Sequence, residues 1–481
     1  MRQTTWQVLL LIAVFVSISL YLLLTSAYDT LHIVNRPKQT PAEDVREEDV
    51  YEWTTTSSYR QATEEDVNNA TIEGLCQYFP KEKLHDIQPV LKTGHGALDR
   101  VRSQLKSSAA CLDNLLIFSD LDEELEGRSI FDTIADIPQH LIESDNQTLP
   151  YRHLKDLAAN GSLNDTTLSR LQGWETDKFK FLPDISRAWH ISPERQWYVY
   201  FEGDTFLLWD TIFRLLEHFD PDEPHYFGSP SPGRDGTWFA NGGPGFILSR
   251  AAMRKLTHDD YDSQTGEYLG SQLSSTHWHE TLVNCCGDSI AGWALWSANI
   301  TLSGLWPMFN PHPPHGVPFS DLYWCQPVLS MHKPLEGDMT KLWRWEWQNR
   351  KTDRPLLYRD MAVSYFQNFQ FTQRENWDNA EWDGFDPPND TTYNPHASIA
   401  TCSTACEKHE NCFQWTYHRQ RCYFVHSFRL GREREPSTDG DWTIWDQRFV
   451  AGWDTAKIKK WIDQRPCEKV QWVKPSTERI F

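Results

Sequence analysis

Apolar positions change their spacing several times between residues 87 and 219. Residues 89–94 and 115–118 are short apolar runs that end in glycine or polar residues, and they predict buried strands. Residues 97–107, between them, carry apolar side chains at helical spacing. This order predicts a βαβ unit with a parallel sheet. Residues 197–201 predict a further buried strand, and residues 210–219 a helix.

Two acids interrupt the apolar run YVYFEGDTFLLW at residues 198–209. Residues two apart in an extended chain face the same side, so Glu202 and Asp204 present two carboxylates together, and Gly203 lets the backbone turn between them. Two adjacent like charges are costly without a nearby cation. A hard divalent ion such as Mn²⁺ or Mg²⁺ meets this need. The alternative is that the strand simply ends in solvent.

Polar residues also follow the two earlier strands. Thr93 and Gly94 come after the first, and Ser119 and Asp120 come after the second. Ligands of open α/β sheets bind outside the carboxyl ends of the strands. The pattern therefore predicts a nucleotide-like ligand at this rim.

The longest apolar run is WQVLLLIAVFVSISLYLLL, residues 6–24. Its 19 uncharged residues are enough to cross about 30 Å of hydrocarbon at about 1.5 Å per residue. The alternative is a cleaved signal peptide, whose apolar run usually has about 7–15 residues. The length favours a retained membrane anchor that follows a cytosolic tail at residues 1–5.

Residues 28–69 are acidic, rich in threonine and without hydrophobic periodicity. Such a composition buries too little to order itself, so we expect a stem over residues 25–85 and order from about Ile87 onwards.

Composition indicates the compartment. All ten cysteines follow the apolar run, an even number that suits disulfides in an oxidising lumen. Six Asn-x-Ser/Thr sequons lie on the same side, at Asn69, Asn146, Asn160, Asn164, Asn299 and Asn389. We expect a single-pass type II protein of the secretory pathway, with a short cytosolic tail and a large lumenal body. The net charge of −21 argues against a nucleic-acid partner. The 23 tryptophans suit either an aromatic core or stacking on sugars.

Several motifs resemble, in order, those of the fringe-like β-1,3-glycosyltransferases, and among these the core 1 galactosyltransferases and their fungal relatives. They are Lys92-Thr-Gly94, Ile117-Phe-Ser-Asp120, Trp197-Tyr-Val-Tyr-Phe-Glu-Gly-Asp-Thr205 and Phe239-Ala-Asn-Gly-Gly-Pro-Gly-Phe-Ile-Leu-Ser-Arg250. The resemblance covers roughly residues 87–345. It implies a GT-A fold, which is a Rossmann-like mixed α/β sheet flanked by helices, with a UDP-sugar donor and Mn²⁺ or Mg²⁺.

The resemblance also implies metal ligands. Asp204 takes the place of the last aspartate in the family's Asp-Asp-Asp motif, whose middle position is Gly203 here. His332, after the Trp324-Cys325 pair, matches a family ligand histidine, although a lone histidine is often only a surface or core residue. Glu202 is placed to reach the ribose or the ion.

Asp288, in Cys285-Cys-Gly-Asp-Ser-Ile-Ala-Gly292, resembles the family's acidic pair. We expect it to be the base that takes the acceptor hydroxyl proton in an inverting transfer. The alternative role is capping of the helix that follows. Gly287 stands where the family often has a second acid, so Asp288 would act alone.

Six further residues are predicted to lie near the donor sugar or nucleotide. Thr93, Gly94 and Asp120 would line the donor site. Lys178 resembles a family lysine near the donor, with a solvated lysine as the alternative. Gly242 and Gly243 would let the backbone approach the sugar closely, and an ordinary turn explains them equally well.

The glycosyltransferase resemblance fades after residue 345. Residues 346–388 would connect to a module at residues 389–470, before a tail at residues 471–481. Cys402-x3-Cys406-x5-Cys412-x2-Trp415-x-Tyr417-x4-Cys422 resembles a PAN/apple-type fold, a small disulfide-rich α+β module. Zinc ligation is the alternative, although the oxidising lumen argues against it. Four cysteines leave three pairings open.

The resemblance therefore implies an enzyme of the Golgi or ER membrane that transfers a hexose, with galactose as the first candidate, from a UDP-hexose donor to a glycan or glycoprotein acceptor. We expect the C-terminal module to hold that acceptor. One rival is a glycan-binding or scaffold protein on an inactive glycosyltransferase fold, which Gly203 and the single acid at Asp288 favour. A glycoside hydrolase would also use two carboxylates, but it would not need nucleotide-shaped strand ends.

Overall fold

The computed structural model describes residues 47–169, 171, 173–335, 337–366, 372–381, 384–387 and 394–479. The predicted tail and anchor, residues 1–24, lie outside these ranges. Among the residues that are described, no helix is both long enough and apolar enough to cross a membrane.

The strands are short and are numbered here in chain order. They are β1 (Val50–Tyr51), β2 (Ile87–Lys92), β3 (Leu116–Ser119), β4 (Glu123–Leu125), β5 (Arg128–Asp132), β6 (Trp197–Glu202), β7 (Thr205–Leu207), β8 (Tyr226–Gly228), β9 (Pro230–Pro232), β10 (Trp238–Ala240), β11 (Phe246–Ser249), β12 (Ser303–Gly304), β13 (Phe309–Asn310), β14 (Ser330–His332), β15 (Gln373–Glu375), β16 (Trp377–Asp378), β17 (Gly384–Phe385), β18 (Gln414–His418), β19 (Arg421–Val425), β20 (Arg432–Glu433), β21 (Val450–Trp453) and β22 (Trp472–Val473).

The α-helices are numbered in the same way. They are α1 (Glu64–Asn69), α2 (Ile72–Cys76), α3 (Leu98–Leu105), α4 (Gln139–Ser144), α5 (Leu149–Ala159), α6 (Asp165–Leu168), α7 (Phe181–Ile191), α8 (Trp209–Leu216), α9 (Arg250–Leu256), α10 (Gln272–Thr276), α11 (Trp278–Val283), α12 (Gly287–Ser297), α13 (Asp338–Asn349), α14 (Tyr358–Phe366), α15 (Ile399–Lys408) and α16 (Thr455–Asp463).

A mixed sheet of eight strands, in the order β12-β8-β11-β6-β2-β3-β5-β4, carries the site. Strands β6, β2, β3 and β5 are parallel neighbours, whereas β11 runs antiparallel to both β6 and β8. The predicted βαβ unit is confirmed, since β2 and β3 pair in parallel with Val90 opposite Leu116, and α3 lies between them in the chain. The mixed sheet flanked by helices confirms the predicted GT-A type fold.

Strand β6 contributes side chains to cores on both faces of this sheet. Trp197, Val199 and Phe201 enter the core that contains α8, while Tyr198 and Tyr200 enter the core that contains α7 and α12. Burial on both faces explains why the strand has an unbroken apolar sequence. The acids come only where the strand ends.

A small sheet, β13-β14-β7, brings a distant part of the chain to the end of β6. Strand β7 pairs antiparallel with β14, and Thr205 lies opposite His332 in this register. The backbone N–H of Lys333 donates to the carbonyl of Asp204 at 2.8 Å. Strand pairing therefore fixes His332 beside Asp204.

The segment 47–85 is ordered, whereas we expected order only from about Ile87. It contains β1, α1 and α2, and Leu75 is fully buried in the core that contains α8. A disulfide joins Cys76 to Cys111. The buried apolar side chains of this segment, such as Leu75, Cys76 and Phe79, form no helical or strand periodicity long enough to be recognised in the sequence. The proposed limits of the stem and of the catalytic domain stay predictions.

The C-terminal region contains a five-stranded antiparallel sheet, β15-β21-β18-β19-β17, against which α15 packs. The disulfides Cys402–Cys422 and Cys406–Cys412 select one of the three pairings that the sequence left open. These features agree with a small disulfide-rich α+β region. Its PAN/apple identity and its limits at residues 389–470 stay predictions.

This region shares a core with the main sheet. Phe428, Ala451 and Trp453 are buried in the same cluster as Phe201 of β6. The pairing of β1 with β22 and the disulfide Cys325–Cys467 add further links.

Deletion of residues 390–470 is therefore expected to prevent folding of the whole described unit. It removes Phe428, Trp453 and Ile458 from the shared core. Truncation of a single buried Phe or Trp costs about 3–5 kcal/mol, and whole domains are stable by only about 5–15 kcal/mol. Thermal unfolding of the purified deletion variant checks this, with the exposed Trp442→Ala as control. A deletion variant that unfolds cooperatively near the wild-type temperature would show the two regions to be independent.

Candidate active site

The centre of the site is a carboxylate and an imidazole at the end of β6. Asp204 Oδ1 lies 3.6 Å from His332 Nε2, and Glu202 completes a group whose potential ligand atoms lie within 4.8 Å of one another. Burial opposes the charge of Asp204, but the His332 imidazole and the Arg100 guanidinium outweigh it and lower the pKa of Asp204 below its ordinary value. The carboxylate is thus ready to bind a cation.

These residues fit a divalent metal ion. Among the described residues, Asp204 Oδ1 is buried with no partner within hydrogen-bond distance, since His332 Nε2 is 3.6 Å away, and an unsatisfied buried acceptor costs about 1–3 kcal/mol. Carboxylate oxygen is a ligand for Mg²⁺ and Mn²⁺, and imidazole nitrogen is a ligand for transition-metal ions, so the donor set is compatible with Mn²⁺ without selecting it. A cation between the two groups would satisfy the unpartnered oxygen.

Gly243 packs directly against the imidazole of His332. A Cβ at this position would lie 2.2 Å from His332 Cε1, far inside contact distance. Thr205 Oγ1 also donates to the Gly243 carbonyl at 2.6 Å, which holds the loop against β7. The imidazole ring therefore requires glycine at position 243, and the predicted close approach of this loop to the sugar or acceptor stays a prediction.

Gly243→Ala is expected to displace His332 and weaken Mn²⁺ binding by about 10-fold to 100-fold, as changes that disturb the orientation of a ligand do. Electron paramagnetic resonance of free Mn²⁺ measures the affinity. The control is Gly96→Ala, because a Cβ at this position would meet no atom of the described residues within 4 Å. Gly236→Ala is not a suitable control, because Gly236 has a positive φ that alanine rarely adopts. Unchanged Mn²⁺ affinity in Gly243→Ala would remove His332 from the ligand set.

Gly203, the departure from the Asp-Asp-Asp motif, is explained by Arg100 of α3. A Cβ at position 203 would lie 2.8 Å from Arg100 Cβ. Arg100 Nη1 donates to Asp204 Oδ2 at 2.8 Å. Gln104, fully buried one turn later, donates to the carbonyls of Glu202 and Thr205 and fixes α3 against this turn.

Asp288 lies in the first turn of α12 and reaches the glycine loop. Its Oδ2 accepts the N–H of Gly242 at 2.8 Å, and its Oδ1 accepts the N–H of Ser289 at 2.8 Å. Burial raises the pKa of Asp288 against the effect of these two bonds. The N-cap position is Cys286, which makes no side-chain cap bond, while Asp288 Oδ1 accepts a first-turn N–H, so a helix-capping contact accompanies the predicted role as base. A Cβ at Gly287 would clash with the Phe181 ring, which explains why no second acid is present.

Two cavities meet at this point. One of about 1000 Å³ lies at the ends of β2, β3 and β6. Its lining includes six of the predicted site residues, Thr93, Gly94, Asp120, Lys178, Glu202 and Asp288. The other, of about 980 Å³, is lined by Asp204 and His332. Arg100 and Gly203 line both.

Three charged residues under the larger cavity were missed by the sequence reasoning. Lys92 Nζ contacts both carboxylate oxygens of Asp177 at 2.7 Å and Glu202 at 3.1 Å. Burial opposes its charge, but Asp177 and Glu202 raise the pKa of Lys92. Lys180 Nζ donates to the Thr93 carbonyl at 2.6 Å and lies 3.1 Å from Asp177. Lys92 belongs to the motif Lys92-Thr-Gly94, but the ion pairs that Lys92 and Lys180 form with Asp177 are visible only in the structure.

Lys178 has a different position from the one expected of a solvated lysine. Its Nζ donates to Gln147 Oε1 at 2.8 Å and to the carbonyls of Leu282 and Asn284 at 3.3 and 3.0 Å. It therefore holds the loop that leads to the bonded pair Cys285–Cys286 at the rim of the larger cavity.

The mixed sheet flanked by helices is consistent with a GT-A type fold, and the carboxylate and histidine group lies at its rim. Residues 143–277 match the model of the Fringe-like family, so this part of the chain is a Fringe-like domain and the resemblance seen in the motifs is confirmed. This family consists of glycosyltransferases, for which a divalent metal and a nucleotide-sugar donor are typical. The match includes Glu202, Asp204 and Gly242, while Asp288 and His332 lie beyond its end.

Proposed function

We propose that the chain is an inverting β-1,3-hexosyltransferase that transfers a hexose, with galactose as the first candidate, from a UDP donor to a glycan hydroxyl on a glycoprotein or glycolipid. The observation that carries the proposal is the close pair Asp204 and His332 beside a cavity of about 1000 Å³. A cavity of this size is at the upper end of those that hold small ligands and cofactors.

Asp204 Oδ1 and His332 Nε2 would hold Mn²⁺, with Mg²⁺ as the alternative ion, and Glu202 would reach the ion or the donor ribose. The bound ion supplies charge stabilisation for the departing diphosphate. Lys92 balances the charge of Glu202 and, with Lys180, fixes Asp177 beneath the donor. Thr93, Gly94 and Asp120 would form the wall against which the nucleotide lies.

Asp288 would accept the proton of the acceptor hydroxyl while that oxygen attacks the donor sugar from the opposite face. The hydrogen bonds from Gly242 and Ser289 hold the carboxylate in one orientation. Its raised pKa increases its strength as a base at neutral pH. The same bond to Gly242 links the base to the loop behind His332.

Fringe-like glycosyltransferases are Golgi enzymes. All ten cysteines form disulfides, as an oxidising lumen favours. We place the enzyme in the Golgi membrane, with the ER as the alternative, as a single-pass type II protein anchored by residues 6–24. The PAN/apple-like region would bind the acceptor glycan or glycoprotein.

The test is a donor screen on the full-length protein in detergent with Mn²⁺, UDP-hexoses and a glycan acceptor. Expected is release of UDP with one hexose and a product whose anomeric centre is inverted, as nuclear magnetic resonance shows. Absence of UDP release with every donor would favour the glycan-binding protein on an inactive fold.

A further inference from the structure

We propose that Arg100 binds the diphosphate of the nucleotide-sugar donor directly. The inference rests on the proposed function, because it requires that the site take a nucleoside diphosphate. It adds a protein cation from α3 beside Gly203, the position at which the family motif has an acid.

The position of Arg100 supports this role. Its Nη1 uses one N–H on Asp204 Oδ2, at 2.8 Å. A guanidinium has five N–H donors in a planar fork, and the Arg100 side chain is 61% exposed. Arg100 lines both cavities, so its remaining donors face the space next to the proposed metal site.

The helix that carries Arg100 is held firmly against the motif. Gln104 is fully buried and donates to Thr205 and Glu202 carbonyls from the same face of α3. The guanidinium is therefore presented from a fixed backbone, which reduces the entropy lost when it binds a ligand.

Gly203 and Arg100 depend on each other. A Cβ at position 203 would lie 2.8 Å from Arg100 Cβ, so a motif aspartate there would force α3 away. Lys92 Nζ lies 3.1 Å from Glu202, and Arg100 Nη1 lies 2.8 Å from Asp204. Each of the two carboxylates that remain in the motif therefore has one basic partner. The chain therefore has an arginine near the place where relatives carry additional negative charge.

A diphosphate matches this arrangement in charge and in shape. Arginine binds phosphate oxygens through two parallel N–H bonds, whereas lysine acts as a point charge. Asp204 and His332 would hold the ion, and a diphosphate bound to it would lie near the Arg100 guanidinium, which already bonds to Asp204. Arg100 would then contact the leaving group together with the ion.

Isothermal titration of the full-length protein in detergent tests the proposal. The probes are UDP, inorganic pyrophosphate and uridine, each with EDTA and with Mn²⁺. In EDTA, Arg100→Ala is expected to weaken UDP and pyrophosphate binding about 10-fold or more and to leave uridine binding unchanged. The UDP and pyrophosphate affinities of Arg100→Lys are expected to lie between those of the wild type and those of Arg100→Ala. The control is Arg102→Ala, on the same helix, whose partner is Asp99 and which should bind all three probes like the wild type.

Unchanged uridine affinity shows that each variant retains the nucleoside site. If Arg100→Ala binds UDP and pyrophosphate as tightly as the wild type, Arg100 serves only as the partner of Asp204 and the inference fails, while the proposed function stands. A wild-type protein that binds neither UDP nor pyrophosphate overturns both. Loss of uridine binding together with UDP binding in Arg100→Lys would assign Arg100 a purely structural role and likewise overturn the inference.

Discussion

Asp204→Ala should reduce UDP release from the donor by about 10³-fold or more, because a metal ion that stabilises a leaving group supplies several kcal/mol and each 1.4 kcal/mol is tenfold. The substitution removes the buried oxygen that faces His332 Nε2 at 3.6 Å. It also leaves Arg100 without its carboxylate partner. Steady-state UDP release and the affinity for Mn²⁺ measure the two consequences separately.

Asp99→Ala is the matched control for this variant. Asp99 lines the same two cavities, but its carboxylate is 94% exposed and pairs with Arg102. Its loss should change UDP release by less than about twofold, as surface substitutions away from buried groups change little. An Asp204→Ala protein that folds and releases UDP at the wild-type rate would refute the metal site.

Asp288→Asn is expected to lower kcat by about 10²-fold to 10⁴-fold, the usual contribution of a general base. UDP binding should persist, because Asp288 would act on the acceptor and not on the nucleotide. The amide can accept from only one of the N–H groups of Gly242 and Ser289, so a loss of about 1–3 kcal/mol in the free energy of unfolding should accompany it. Ser289→Ala keeps its backbone N–H and should retain full kcat.

The pH dependence gives an independent test of this base. Burial raises the pKa of Asp288, and only the ionised form can accept a proton. Activity should therefore be complete above this raised pKa and decline as the pH falls through it, at a higher pH than an ordinary aspartate would give. The pH profile of kcat/KM measures the decline. If the residual activity of Asp288→Asn shows the same acid limb as the wild type, another group is the base.

Strands β2, β3 and β6 of the parallel core could be predicted because they are buried on both faces, whereas β5, with exposed positions, was not predicted. Strand β6 has one apolar side chain after another from Trp197 to Phe201, which is a strong local signal. The segment before Ile87 gave no such signal. Leu75 and Cys76 are buried only because distant parts of the chain pack over them, including Cys111.

The site residues could be predicted where the motifs follow one another along the chain in the same order as in the family. Asp204 and His332 were paired by resemblance, and the structure brings them together through the register of β7 and β14, which no periodicity reveals. The approach of Arg100 to Gly203 depends on the packing of α3 against a turn far away in the chain. Lys178 was chosen from its motif, while the lysines that contact Asp177 are Lys92 and Lys180.

The pairing of β1 with β22 has a consequence for biosynthesis. Val50 cannot meet Val473 until the intervening chain has been made. At translation rates of about 5–20 residues per second, the segment that contains Val50 waits about 20–80 s for its partner. Throughout that interval the nascent chain exposes apolar surface that the segment around Val473 will later cover, so we expect prolonged association with chaperones.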